Sequence, residues 1–116
     1  MSLAGQMRPL VIAHRGFSSI APENTIASLR AARRLGTQYS ECDVRLTADG
    51  IPVLMHDDSL LRTAGLNMQL STMSCEALGN VDVGSWLSPD YAGEGVPTLD
   101  AALQAVSYTH LTLPTN

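Results

Sequence analysis

The stretch Leu10-Val11-Ile12-Ala13-His14-Arg15-Gly16 decides the fold class. Its four apolar residues form a continuous run, which is typical of a strand buried on both faces. The glycine that follows favours a loop. A second apolar run, residues 51–55, also ends on a histidine, His56. The sequence therefore predicts two buried strands that each deliver a histidine, His14 or His56, to a loop.

Helices are predicted between and after these strands. Apolar residues at helical intervals place the first helix over residues 25–35, with Asn24 as its N-cap and Gly36 at its end. Residues 74–78 and 98–105 favour two more helices, the second one capped by its first residue, a threonine. Strands that alternate with helices indicate an α/β chain, although the alternation alone does not separate an open sheet from a barrel.

The segment from Tyr39 to Leu46 alternates polar and apolar residues, which predicts another strand. Glu41 and Asp43 then lie on one face of it, about 6.6 Å apart along the strand axis. Two carboxylates at this spacing suit a hard cation such as Mg²⁺ or Ca²⁺. The alternative is a solvated strand face whose acids pair with Arg45 and other cations.

The two histidines favour the chemical interpretation, because imidazole changes charge near neutral pH. Beside a bound cation, His14 and His56 would accept and donate protons during bond cleavage. Arg15 adds a planar, forked cation that suits a phosphate oxygen. Taken alone, each of these three residues is also consistent with an ordinary packed or surface side chain.

Composition narrows the function classes. The 116 residues carry a formal charge of -4, with 45% hydrophobic and 16% charged residues. This is too apolar for a disordered segment, and no apolar run approaches the roughly 18 residues of a membrane span. An acidic chain without lysine argues against nucleic-acid binding. Residues 1–9 do not resemble a secretory signal, so a cytoplasmic location is expected. Cys42 and Cys75 lack metal-ligand spacing and are expected to be reduced thiols.

Several short motifs, in a fixed order, resemble the glycerophosphodiester phosphodiesterase family. They are His14-Arg15-Gly16, Pro22-Glu23-Asn24-Thr25, Glu41-Cys42-Asp43-Val44, Thr47-Ala48-Asp49-Gly50, Pro52-Val53, His56-Asp57 with Leu60 and Arg62-Thr63, Val83-Gly84-Ser85-Trp86, and Gly93-Glu94 through Pro97-Thr98-Leu99. The resemblance implies the N-terminal part of a (β/α)₈ TIM barrel. It also implies metal-dependent hydrolysis of glycerophosphodiesters to an alcohol and glycerol 3-phosphate, a reaction of lipid and glycerol metabolism.

Carried over residue by residue, the resemblance implies His14 and His56 as the general acid/base pair, Glu41 and Asp43 as metal ligands, and Arg15 as a phosphate contact. The cofactor would be Mg²⁺ or Ca²⁺, and the partner a small-molecule glycerophosphodiester. Three alternatives stay open: a phospholipase D-type lipid headgroup hydrolase of the same superfamily, a non-catalytic module that binds a phosphodiester or a metal, and a short interaction protein.

The predicted organisation is an N-terminal extension (residues 1–9), a partial barrel domain (10–105) and a non-native tail (106–116). A complete barrel of this type needs about 250 residues, so the domain is expected to be truncated and inactive by itself. The resemblance implies a third metal-binding Glu and a phosphate-binding Lys beyond residue 105. The tail contains no charged residue and matches one translated reading frame of a sequencing adapter.

Overall fold

The structure, a computed structural model, describes residues 11–107 and the backbone of residues 110–112. The predicted N-terminal extension, residues 1–9, lies outside the described residues, as does most of the predicted tail. The exceptions in the tail are residues 106–107 and the backbone of residues 110–112. The domain boundary after residue 105 therefore stays a prediction.

A parallel sheet carries two of the residues predicted to be functional, His14 and Glu41. Strand β1 (Ile12–His14) pairs with β2 (Tyr39–Glu41), and β2 pairs on its other side with β5 (His110–Thr112). Helix α1 (Ile26–Arg34) forms the crossover that a parallel β1–β2 pair requires. The register sets the last residue of β1 opposite the last residue of β2, so both carboxyl ends meet at one edge of the sheet.

The predicted single strand over residues 39–46 is wrong. The backbone leaves the parallel sheet after β2 and resumes as β3 (Val44–Leu46), which pairs antiparallel with β4 (Pro52–Leu54) in a separate two-stranded sheet. The turn between β3 and β4 places Gly50 at φ 77°, a conformation that glycine adopts without strain. The polarity of the residues alternates in the sequence through the break, but the two halves belong to different sheets.

Helix α1 begins one residue later than predicted, with Thr25 and not Asn24 as its N-cap. The Thr25 side chain accepts a hydrogen bond from the Ser28 N–H, and the Ser28 hydroxyl accepts one from the Thr25 N–H, which together form a capping box. Asn24 has φ 54°, whereas an N-cap residue is normally extended. Its side chain is consequently free for another role.

The other predicted helices are confirmed, and they enclose two apolar clusters. α3 (Cys75–Gly79) and α4 (Leu99–Ala105) are accompanied by a short α2 (Leu61–Ala64) that the pattern did not predict. α4 is capped by its preceding threonine, as expected, and packs on α1. One cluster comprises Val53, Met55, Leu60, Leu70, Leu78, Val81, Val83 and Val96. The other comprises Leu29, Cys42, Leu54, Ala102 and Val106. Among the described helices, none is long and apolar enough to cross a membrane.

Candidate active site

The carboxyl ends of β1 and β2 bring His14 and Glu41 together. His14 Nε2 lies 3.3 Å from Glu41 Oε2, which gives an ion pair when the ring is protonated. The other carboxylate oxygen, Glu41 Oε1, is buried and has no hydrogen-bond partner in the part of the chain that the structure describes. A buried carboxylate oxygen without a donor is costly unless a cation or water meets it.

The turn after β1 directs Arg15 toward a second carboxylate. Arg15 and Gly16 both have left-handed backbones, with φ 56° and φ 77°, and the Gly16 N–H donates to the carbonyl of Glu41. Arg15 Nε lies 3.5 Å from Asp43 Oδ2, and Arg15 Nη1 lies 3.2 Å from a carboxylate oxygen of Glu23. The predicted phosphate contact therefore sits between two acids, one of them a predicted metal ligand.

Asn24, which the sequence suggested as a helix cap, holds Asp43. Its amide Nδ2 donates to Asp43 Oδ2 at 3.2 Å, and its Oδ1 accepts from the Asp43 N–H at 3.1 Å. Asn24 is buried, and its own N–H donates to the carbonyl of Arg15. Within the described residues, Asn24 and Arg15 are the only non-glycine residues with positive φ. Such strained backbones concentrate at functional sites, and both of these side chains meet the same Asp43 oxygen.

His56 follows β4 and lines a cleft of about 530 Å³ together with Asp43. Its carbonyl accepts two hydrogen bonds from Arg45, at 3.0 and 2.7 Å. Arg45 therefore holds the His56 backbone and does not pair with the two predicted metal-binding carboxylates. The His56 ring meets the next residue along the chain, with Nδ1 2.6 Å from Asp57 Oδ1.

Arg62 links this histidine to the loop before α1. Its guanidinium donates to both oxygens of Glu23 at 2.7 and 2.9 Å, and to both oxygens of Asp57 at 2.9 and 3.2 Å. Hydrogen bonds from Arg62 and His56 lower the pKa of Asp57 to about 2. Burial by itself would raise the pKa of Glu23, but the hydrogen bond and charge of Arg62, with the charge of Arg15, outweigh it and lower that pKa.

Sequence reasoning singled out neither Glu23 nor Arg62 as functional residues. The only available signal was their presence in the motifs Pro22-Glu23-Asn24-Thr25 and Arg62-Thr63. Neither residue has a spacing that identifies a partner, because the two lie 39 positions apart in the chain.

Glu41 and Asp43, the two predicted metal ligands, have features that suit a hard cation, but they are too few to hold one by themselves. The buried, unpartnered Oε1 of Glu41 is a suitable ligand, and Asp43 is held in place by Asn24 and Arg15. Over residues 11–107, however, no three His, Cys, Asp or Glu side chains come close enough to hold a metal ion. Mg²⁺ and Ca²⁺ take six or more ligands, so these two carboxylates would supply only part of the ligand set for such a cation.

Comparisons with known proteins connect this geometry to a family. The model of the glycerophosphoryl diester phosphodiesterase family matches residues 14–114. The chain belongs to this family. One relative, a glycerophosphodiester phosphodiesterase from Caldanaerobacter subterraneus, is 42% identical over 93 residues, which cover 80% of this chain and 38% of that protein.

Solved structures of family members agree with the fold. An Oleispira antarctica phosphodiesterase, solved in complex with the product sn-glycerol-3-phosphate, is 43% identical with a TM-score of 0.87. The match covers 95% of this chain and 45% of that one. A glycerophosphodiester phosphodiesterase from Agrobacterium tumefaciens gives a TM-score of 0.86 at 33% identity, over 91% of this chain and 46% of that one. The predicted fold class, the N-terminal part of a (β/α)₈ TIM barrel, is confirmed. The chain spans less than half the length of these relatives.

Proposed function

We propose that the protein containing this chain hydrolyses glycerophosphodiesters to an alcohol and glycerol 3-phosphate. The observation that carries the proposal is the pairing of His14 with Glu41 and of Arg15 with Asp43 at the carboxyl edge of a parallel sheet. This is the edge where active sites of α/β barrels lie. The structure of a similar phosphodiesterase with sn-glycerol-3-phosphate supports the choice of substrate class.

The proposed chemistry divides proton transfer between two histidines. One of His14 and His56 accepts the proton of the attacking water, while the other protonates the oxygen of the leaving alcohol. Arg15 binds a phosphoryl oxygen. Its Nε is buried and faces Asp43 Oδ2 at 3.5 Å, so the phosphate contact is assigned to the terminal Nη groups of the guanidinium.

The proposal includes a divalent cation, Mg²⁺ or Ca²⁺, held in part by Glu41 and Asp43. When bound, this cation supplies positive charge to the phosphoryl oxygens, where negative charge increases in the transition state. The buried Oε1 of Glu41 supports this assignment, because it lacks a hydrogen-bond donor in the described structure.

An enzyme-coupled assay of glycerol 3-phosphate release tests the proposal. The 116-residue chain and the longer protein that contains it are each incubated with glycerophosphodiesters, with EDTA, and after addition of Mg²⁺ or Ca²⁺. His14→Ala and His56→Ala are expected to lower kcat by about 10²- to 10⁴-fold. Arg15→Ala is expected to raise KM, and the matched control Arg34→Ala, at the exposed end of α1, is expected to change neither constant.

The same assay separates the alternatives. Release of a headgroup from phospholipid vesicles, without glycerol 3-phosphate, would favour the phospholipase D-type activity. Phosphodiester binding without turnover by the longer protein would favour the non-catalytic module. Turnover that resists EDTA would contradict the role of the cation. The proposed cytoplasmic location is tested separately by cell fractionation.

A further inference from the structure

We propose that Arg62 is a positioning residue that couples the phosphate contact Arg15 to His56, acting through Glu23 on one side and Asp57 on the other. The inference concerns residues outside the predicted catalytic set. Its catalytic consequence rests on the proposed function, whereas the coupling itself is a property of the folded chain.

The Arg62 guanidinium lies at the centre of this arrangement. It donates to all four oxygens of Glu23 and Asp57, at 2.7 to 3.2 Å. Its Cζ lies over the Trp86 ring, 5.9 Å from the ring centroid, and the indole Nε1–H is itself bonded to the carbonyl of Val83 at 2.9 Å. A planar fork that bonds two carboxylates and lies over an anchored ring has a defined orientation.

On one side, Arg62 sets the position of Asp57 and thereby the tautomer of His56. Asp57 Oδ1 accepts a hydrogen bond from Arg62 Nη2 at 3.2 Å and lies 2.6 Å from His56 Nδ1. An ionised carboxylate only accepts hydrogen bonds, so the hydrogen lies on Nδ1 of His56. The Nε2 atom then keeps its lone pair in the neutral ring and is the nitrogen able to exchange a proton with substrate.

On the other side, Arg62 shares Glu23 with Arg15. Glu23 Oε2 accepts from Arg62 Nη2 at 2.9 Å and meets Arg15 Nη1 at 3.2 Å, and only 9% of the Glu23 side chain is exposed. Because one carboxylate oxygen serves both guanidinium groups, the bonds of Glu23 to Arg15 and to Arg62 compete. A phosphate that draws Arg15 away leaves Glu23 more strongly paired with Arg62. By thermodynamic linkage, the state of Arg62 must then affect phosphate binding in return.

The tautomer of the His56 ring is the direct test, measured in the neutral ring by long-range ¹H–¹⁵N NMR on the full chain. Arg62→Ala is expected to lower the ratio of the Nδ1–H form to the Nε2–H form by about 2-fold or more, because residues in one hydrogen-bonded network are usually coupled by at least that amount. Arg62→Lys keeps the charge but loses the fork, and is expected to fall between the parent and Arg62→Ala. Arg34→Ala is the matched control and is expected to leave the ratio unchanged.

Glu23→Gln is the second variant, because Glu23 interacts with His56 only through charge and the substitution preserves the side-chain shape. A shift of the His56 tautomer in Glu23→Gln that disappears when Arg62→Ala is also present would support coupling through Arg62. The same ratio in the parent, Glu23→Gln and Arg62→Lys, with dispersed amide spectra that show folded protein, would overturn the inference. Glu23→Gln also keeps the test available if Arg62→Ala does not fold.

Inorganic phosphate provides a second readout. It is expected to shift the His56 ring signals in the parent and to shift them less in Arg62→Lys, whereas equal shifts in both would contradict the coupling. Neither readout requires turnover. A tautomer shift in this chain, with no hydrolysis by the longer protein that contains it, would refute the proposed function alone. Hydrolysis by the longer protein, with an invariant tautomer, would refute the coupling alone.

Discussion

Substitution of Gly16 by alanine is expected to destabilise the fold more than the same substitution at Gly50, a turn glycine with the same φ. Gly16 has φ 77°, and a Cβ atom there would overlap Ser28 Oγ, with 2.7 Å to Ser28 Cβ and 2.9 Å to the Ser28 carbonyl carbon. Ser28 belongs to α1 and to its capping box, so it has little freedom to move aside. Two costs therefore add at this position, one from the backbone conformation and one from the overlap.

The magnitude follows from these two costs. A left-handed backbone costs a non-glycine residue about 1–2 kcal/mol. Overpacking in a well-packed region costs about 1–3 kcal/mol more. Gly50→Ala is the matched control, because Gly50 has the same φ of 77° and no heavy atom lies within 4 Å of the place that an alanine Cβ would occupy. The control is expected to be destabilised only by the cost of its backbone conformation. Any stabilisation from a stiffer unfolded chain is common to both variants.

Urea unfolding followed by circular dichroism measures the difference. At equal m-values, the midpoint of Gly16→Ala should lie below that of Gly50→Ala by an amount worth about 1–3 kcal/mol. Equal midpoints for the two variants would refute the reasoning, because the contact with Ser28 would then cost nothing. Since Gly16 directly follows Arg15, we also expect Gly16→Ala to lower glycerol 3-phosphate release by the longer protein that contains this chain, whereas Gly50→Ala should not.

Three further predictions concern the residues around the site. Asn24→Gly keeps the positive φ and removes only the side chain, so the unpaired Asp43 N–H should cost about 1–3 kcal/mol; an unchanged thermal midpoint would contradict the role of Asn24. Burial, with nearby carboxylates, raises the pKa of the Cys42 thiol to about 12, so iodoacetamide should label Cys75 in the folded chain and label Cys42 only in urea, as mass spectrometry can check. The folded-state pKa of Asp57 is about 2, below its ordinary 3.8. Its stabilising contribution is therefore present above about pH 4 and is lost as the pH falls toward 2. Asp57→Asn should make the thermal midpoint less dependent on pH over that interval, as unfolding scans at several pH values can check.

Local patterns predicted the elements that local interactions control. The strand that ends at His14, the helix capped by Thr98 and the short helix near residues 75–79 all lie where apolar spacing and capping residues indicated. The predicted burial of that strand on both faces is wrong, because Ala13 is buried but Val11 and Ile12 are each more than half exposed among the described residues. The strand over residues 39–46 shows the limit of this approach. Alternating side chains report a strand conformation, but not which neighbour supplies the hydrogen bonds, and here the neighbour changes between Glu41 and Val44.

The family motifs and the types of the candidate site residues were readable from the sequence by itself, because both are properties of short segments. Only the tertiary structure decided how those residues combine. Asn24 meets Asp43 across 19 positions, and Arg62 meets Glu23 across 39. Neither partner shares an element with the other, so no helical or strand period relates them. Their hydrogen bonds depend on how the loop before α1 packs against β2, β3 and the start of α2, and that packing is set by contacts along the whole chain.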